Sequence, residues 1–200
     1  MSDLTQFYKD VRNCQLCQLA QTRTNVVPGE GPDTAEIVFI GEAPGYHEDQ
    51  QGRPFVGPAG QFLEELITSI GRKRDEVYIC NVIKCRPPEN RDPLPMEIEA
   101  CRSWLDKQLE LLAPKMIVTL GRYSMARYFE GQSISKIHGR GYKKGNVTYF
   151  PMYHPAAALH QQKLRQTISE DMLKIPALLA DVEPTPTPAP ENQSHQLSMF

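Results

Sequence analysis

Four short apolar runs alternate with amphipathic stretches along this chain, and each run ends in a loop rich in glycine, proline or cysteine. The runs are EIVFI (36–40), VYICNVI (77–83), KMIVTL (115–120) and VTYFPMY (147–153). Runs that are apolar throughout, rather than at every second residue, suit strands covered on both faces, as in a parallel sheet. Between them, AGQFLEELITSIG (59–71) sets Phe62, Leu63, Leu66, Ile67 and Ile70 at helical spacing and closes on Gly71. PMEIEACRSWLDKQLELLA (95–113) opens on proline, as helices often do, and RYSMARYFE (122–130) and KLRQTISEDMLKIPALLA (163–180) supply two more helices. The alternation predicts an α/β fold, a three-layer α/β/α sandwich around a short parallel sheet. Ligands of such sheets sit beyond the carboxyl ends of the strands. The loops GEAPG, NVIKCRPP and YHPAA all fall there, and they mark the predicted site.

With 40% apolar and 23% charged residues, the 200-residue chain has the composition of one globular domain. No eighteen consecutive residues are apolar, and the opening MSDLTQFYKDVRN lacks the apolar core of a signal peptide, so no membrane association and a cytoplasmic location are expected. A monomer is expected. The net charge of −2 argues against a nucleic-acid binder, but it mixes two unlike parts. Residues 181–200 hold Asp181, Glu183 and Glu191 and no Lys or Arg, which leaves 22 basic against 21 acidic residues in 1–180. A near-neutral body can still carry a basic face. The expected organisation is a domain over 1–181, a proline-rich linker over 182–195 and a terminal peptide over 196–200. Prolines at 184, 186, 188 and 190 fix the linker as a semi-rigid polyproline II spacer. QLSMF, after it, regains large apolar residues where a frayed end would not need them.

Cys14-x2-Cys17 opens the chain, and Cys85 and Cys101 follow the second strand. In a reducing compartment, four such thiols point to a tetrahedral metal or an iron–sulfur cluster, between which residue count does not decide. Cys80 sits inside an apolar strand and reads as a small core residue. In the loops, Gly41 and Gly45 flank a proline and allow close backbone approach to a ligand. Phe55 lies in GRPFVGPAG (52–60), where an aromatic has few neighbours of its own, which favours a stacking platform. Asn81 offers a donor and an acceptor together, as reading a base edge requires. His154 ends a strand before small residues that admit a phosphate or another backbone. KIHGRGYKKG (136–145) is a basic hairpin candidate, with Lys136, Arg140, Lys143 and Lys144 suited to phosphate contacts.

Taken together, Cys14-x2-Cys17, GEAPGYHED, GRPFVGPAG, NVIKCRPPENRDP, Cys101-Arg-x-Trp-Leu and YHPAA resemble, in order and over roughly residues 10–180, the family 4 uracil-DNA glycosylases. The resemblance implies a monofunctional enzyme that flips uracil out of DNA and hydrolyses its glycosidic bond, with a 4Fe–4S cluster on Cys14, Cys17, Cys85 and Cys101. It implies that Phe55 stacks on the base, Asn81 pairs with N3–H and O4, and His154 donates to O2 as negative charge grows on the leaving ring. Main-chain N–H groups of Gly41, Glu42 and Ala43 would help to hold the base.

Two departures bear on mechanism. The best-known relatives have an aspartate where this chain has Ala43, so Glu42 and Glu48 are the carboxylates available. Glu48 is assigned either to position water or to fill the space of a thymine 5-methyl group. HPAAALHQQ replaces the commoner HPAALLR, and Leu159 becomes the candidate wedge for the vacated stack. His138 lies in the basic segment, but no basic insertion separates Asn81 from Cys101, so covalent capture of uracil sites is not expected.

The tip Gln196, Leu197, Ser198, Met199 and Phe200 resembles the pentapeptide by which bacterial replication and repair proteins dock on the sliding clamp. Met199 stands where that pentapeptide usually has leucine. A non-catalytic iron–sulfur or zinc nucleic-acid binding module is the alternative reading, and it would not need Phe55, Asn81 and His154 on three converging loops. An electron-transfer protein would need neither those residues nor the proline spacer.

Overall fold

A computed structural model of the chain describes residues 3–159 and 161–181. Four strands form where the apolar runs stand: β1 (Ile37–Gly41), β2 (Tyr78–Asn81), β3 (Met116–Leu120) and β5 (Val147–Met152), with a short β4 (Tyr142–Lys144) before the last. The sheet order is β2-β1-β3-β5-β4, and every pair is parallel except β4 with β5. All residues of β1, β2 and β3 are buried, because successive side chains point to opposite faces and both faces are covered.

On one face Ile37, Phe39, Ile79, Val118 and Phe150 meet α3 (Pro58–Ser69), α7 (Gln162–Met172) and α8 (Ile175–Ala180). On the other, Val38, Ile40, Cys80 and Ile117 meet α1 (Asp3–Arg12) and α4 (Pro95–Leu112). The result is the α/β/α sandwich that the alternation predicts.

The structure corrects several element boundaries. The stretch 163–180 is two helices, since Pro176 in the first turn of α8 lacks the N–H that would carry α7 onward. RYSMARYFE yields only the five-residue α5 (Arg122–Ala126). Within GEAPGYHED the last residues turn helical as α2 (Tyr46–Gln51), capped at Gly45 and stopped at Gly52, which is left-handed at φ +67°. α1 was not among the expected elements, although Leu4, Phe7 and Val11 bury at helical spacing. KIHGRGYKKG is not simply a hairpin. It begins in α6 (Ile134–Ile137), crosses Gly139 and becomes β4, and the turn to β5 falls at Gly145-Asn146. The linker 182–195 and the peptide 196–200 lie outside the described residues. No helix among those described is long and apolar enough to cross a membrane.

Candidate active site and thiol pocket

The carboxyl ends of β1, β2, β3 and β5 bring four loops to one edge of the sheet. Gly41 ends β1 opposite Asn81, which ends β2. A Cβ on Gly41 would stand 2.4 Å from Asn81 Oδ1 and 2.7 Å from the Phe55 ring, so only glycine lets these two groups meet. Phe55 is buried and holds a left-handed backbone at φ +52°, a conformation that a bulky residue keeps only when its surroundings impose it. Arg74 imposes it by donating to the carbonyls of Phe55 (3.1 Å) and Pro54 (2.5 Å) while facing Glu30 (3.5 Å). The Phe55 and His154 rings stack with centroids 5.5 Å apart and planes 25° apart, and Gly121, at the end of β3, lies against the His154 Cβ.

Asn81 is 1% exposed, and its Oδ1 has no hydrogen-bond partner in the structure. A buried carboxamide oxygen left in this way costs about 1–3 kcal/mol unless a ligand donor satisfies it. His154 caps the 3₁₀ turn Pro155–Ala158, its Nδ1 accepting from the Ala156 N–H at 3.1 Å. Burial pushes its pKa down to about 4, against a weaker opposing pull from Glu48. The ring is therefore neutral near pH 7, and with Nδ1 accepting, its proton sits on Nε2 as a donor.

Glu42 is half-buried. Burial, and then the charge of Asp92, push its carboxyl up to about 7, and Arg122 pulls the other way. Arg122 pairs with Asp92 and donates to Tyr123 OH at 3.2 Å. Glu48 is spent on the loops. Its Oε1 accepts from the N–H groups of Val56 and Gly57 (both 2.9 Å) and its Oε2 from that of Gly45 (3.1 Å), so it braces the Phe55 loop against the first loop.

The basic residues are not one patch. Lys143 and Lys144 pair with Thr148 and Val147, at the amino end of β5, whereas His154 follows its carboxyl end. Arg140 follows Gly139, whose N–H reaches the Pro151 carbonyl at 2.9 Å, near the carboxyl end, and Lys136 is exposed on α6. Leu159 is 39% exposed directly after the turn that holds His154. Sequence reasoning gave no role to Arg74, Gly121, Asp92 or Arg122, although Asp92 lies within the NVIKCRPPENRDP run that it did single out.

Cys14, Cys17, Cys85 and Cys101 line one pocket with Val11, Leu19, Ile83 and Trp104, whereas Cys80 is fully buried in β2 away from it. Two of these sulfurs receive N–H donors. Trp104 Nε1 donates to Cys14 Sγ and an Arg23 guanidinium N–H donates to Cys85 Sγ, both at 3.1 Å. Burial raises the thiol of Cys85 and pushes that of Cys101 up to about 11. Among the described residues no three His, Cys, Asp or Glu side chains converge closely enough to hold a metal ion.

A family model described as the uracil DNA glycosylase superfamily matches residues 28–175. The chain is 49% identical over 185 residues to a type-4 uracil-DNA glycosylase of Sulfurisphaera tokodaii, a match covering 88% of this chain and 84% of that protein. It is 44% identical over 194 residues to one of Archaeoglobus fulgidus, covering 92% and 98%. To one of Thermotoga maritima it is 44% identical over 169 residues, covering 82% and 88%.

Proposed function

The chain belongs to the uracil DNA glycosylase superfamily and, within it, to the type-4 branch, and from that premise we propose how its residues excise uracil from DNA. It is a hydrolase of DNA repair that breaks the N-glycosidic bond of a flipped-out uridine and leaves an abasic site. The observation that carries the assignment of roles is the buried, unpartnered Asn81 Oδ1 beside Phe55 and His154 at the sheet edge.

Uracil presents a donor at N3 and an acceptor at O4, the complement of a carboxamide, while cytosine reverses both and would leave buried groups unpaired. Asn81→Asp removes the donor to O4. It should lower single-turnover uracil excision by roughly 10²-fold or more on a uracil-containing oligonucleotide. Excision near the wild-type rate would reject Asn81 as the reader of the base.

Phe55 supplies the apolar face for the ring, and the stack with His154 fixes the distance between that face and the Nε2 donor. As the bond breaks, negative charge grows on uracil O2, where a neutral imidazole donates without first losing a proton, and positive charge grows on the sugar. Glu42 is the carboxylate for that cation and for the water that meets it. Glu48 acts one step back, as the brace of both loops. With Glu42 titrating at about 7 and required as the anion, rates should fall about tenfold per pH unit below that value and level off above it. His154, neutral above about 4, should add no inflexion between about pH 5 and pH 9. Glu42→Gln should flatten the profile. A wild-type profile without an inflexion, measured by single-turnover rates, would remove Glu42 from this role.

Cys14, Cys17, Cys85 and Cys101 fit a 4Fe–4S cluster. What supports the reading is that the four thiols line one pocket and that Arg23 and Trp104 donate N–H groups to two of them, Cys85 and Cys14. When bound, the cluster supplies a cross-link between the N-terminal segment, the loop after β2 and α4. Its binding free energy becomes folding free energy. DNA contacts are assigned to Lys136 and Arg140, with Leu159 as the wedge. Lys143 and Lys144, at the amino end of β5, are proposed only for contacts with the phosphates of the flanking duplex. A monomer is the proposed active form.

The tip 196–200 is assigned to a bacterial sliding clamp. In this proposal Leu197, Met199 and Phe200 would fill an apolar pocket of the clamp and Gln196 would orient them, and the fourteen-residue proline-rich spacer would span roughly 43 Å if extended as polyproline II. Deleting residues 196–200 should abolish clamp binding in calorimetry and leave excision on a short oligonucleotide unchanged. Equal clamp binding by the truncated and full-length proteins would refute the docking role.

A further inference from the structure

Lys84 lies just after β2, between the thiol pocket and the base-reading residue, and is 1% exposed. Its ammonium donates to the Asn81 carbonyl (2.9 Å) and to Gln108 Oε1 (2.6 Å). Gln108 cannot turn away, because its Nε2 donates to the Pro28 carbonyl and to Tyr78 OH, both at 2.8 Å. None of the ion pairs among the described residues includes Lys84. The carboxylate on the pocket wall, Glu97, is already paired with Arg91 at 2.6 Å. A buried ammonium without a counter-charge is strongly disfavoured, so its presence requires compensation from nearby. The thiols offer it, since Lys84 lines their pocket and its positive charge acts on Cys101.

We propose that Lys84 is a positioning residue joining the two halves of the enzyme: its buried ammonium balances the negative charge of the four-thiolate iron–sulfur centre and pins the main chain of Asn81. This rests on the cluster and base-reading roles given above. Four thiolates outweigh the positive charge of a cluster core, so a cation held beside them stabilises the bound centre, and more so its reduced state. The same ammonium fixes the residue whose side chain must meet the uracil edge, where small displacements carry large rate costs. Asn81 Oδ1 is left unpartnered for the base while the lysine behind it holds the main-chain carbonyl.

The test uses the cluster-loaded protein and two neutral variants, Lys84→Met and Lys84→Gln, of which only the second keeps a donor for the Asn81 carbonyl. The readouts are the midpoint potential of the centre, titrated through its visible absorbance, and single-turnover excision. Both variants should shift the potential to more negative values. Excision should fall about 10- to 100-fold in Lys84→Met and less in Lys84→Gln. A wild-type potential in whichever variant keeps its centre, or wild-type excision by Lys84→Met, overturns the proposal. A wild-type protein that lacks the centre or does not excise uracil overturns the underlying reading instead, so the two failures are distinct.

Discussion

Replacing His154 with alanine should slow single-turnover uracil excision by about 10²–10³-fold, the usual cost of losing one donor aimed at developing charge. The imidazole reaches that role by three local features. Nδ1 is committed to the Ala156 N–H, burial holds the ring neutral, and Gly121 and Phe55 close on it from two sides. Because Nδ1 accepts, Nε2 must donate. The fold should survive the change, since the ring's own hydrogen bond caps only a four-residue 3₁₀ turn. Circular dichroism and the visible absorbance of the variant should match those of the wild type. His154→Gln, which keeps a donor of similar reach, should recover part of the rate. Excision within a few-fold of wild type by His154→Ala would remove the electrostatic role and shift the burden to main-chain N–H groups of residues 41–43.

On the proposed cluster assignment the wild-type protein should be yellow-brown, and replacing Cys101 or Cys85 with serine should cost it that colour and most of its soluble yield, whereas Cys80→Ser should keep both. The contrast follows from where each sulfur lies. Cys85 and Cys101 line the pocket that ties α1, the loop after β2 and α4 together, while Cys80 is enclosed by the core on β2. A structural metal centre contributes on the order of 10 kcal/mol, comparable with the whole stability of a domain of this size. A serine hydroxyl buried in place of Cys80 costs about 1–3 kcal/mol, which such a domain tolerates. Iron analysis of the wild type should return about four irons per chain, as a 4Fe–4S centre held by four cysteine thiolates requires. Loss of colour in Cys80→Ser with retention in Cys101→Ser would overturn the ligand assignment.

The sheet was legible because β1, β2, β3 and β5 are apolar at nearly every position, which only strands covered on both faces require. β4 was not, since Tyr142, Lys143 and Lys144 are mostly exposed and pair only through the turn at Gly145-Asn146. That antiparallel register is also why Lys143 and Lys144 leave the site edge, a fact that charge counting along the chain cannot hold. Gly41, Phe55, Asn81 and His154 could be singled out because each interrupts a strand end or a Gly/Pro loop. Arg74 and Gly121 could not, because their meaning lies in contacts with Phe55 and His154 that are remote in sequence. The same holds for Glu42, whose raised pKa comes from burial and from Asp92 fifty residues away. Glu48 was recognised as a charged residue in the right loop, but its three hydrogen bonds to main-chain N–H groups are a property of the folded loops alone.

The central claim is that this sheet edge selects uracil and breaks its glycosidic bond. Incubating the cluster-loaded protein with matched oligonucleotides carrying a single uracil, thymine or cytosine, followed by alkali and gel electrophoresis, tests it directly. Strand scission at the uracil position alone, dependent on alkali, is the predicted result. No scission of the uracil strand, or equal scission of all three, would contradict it.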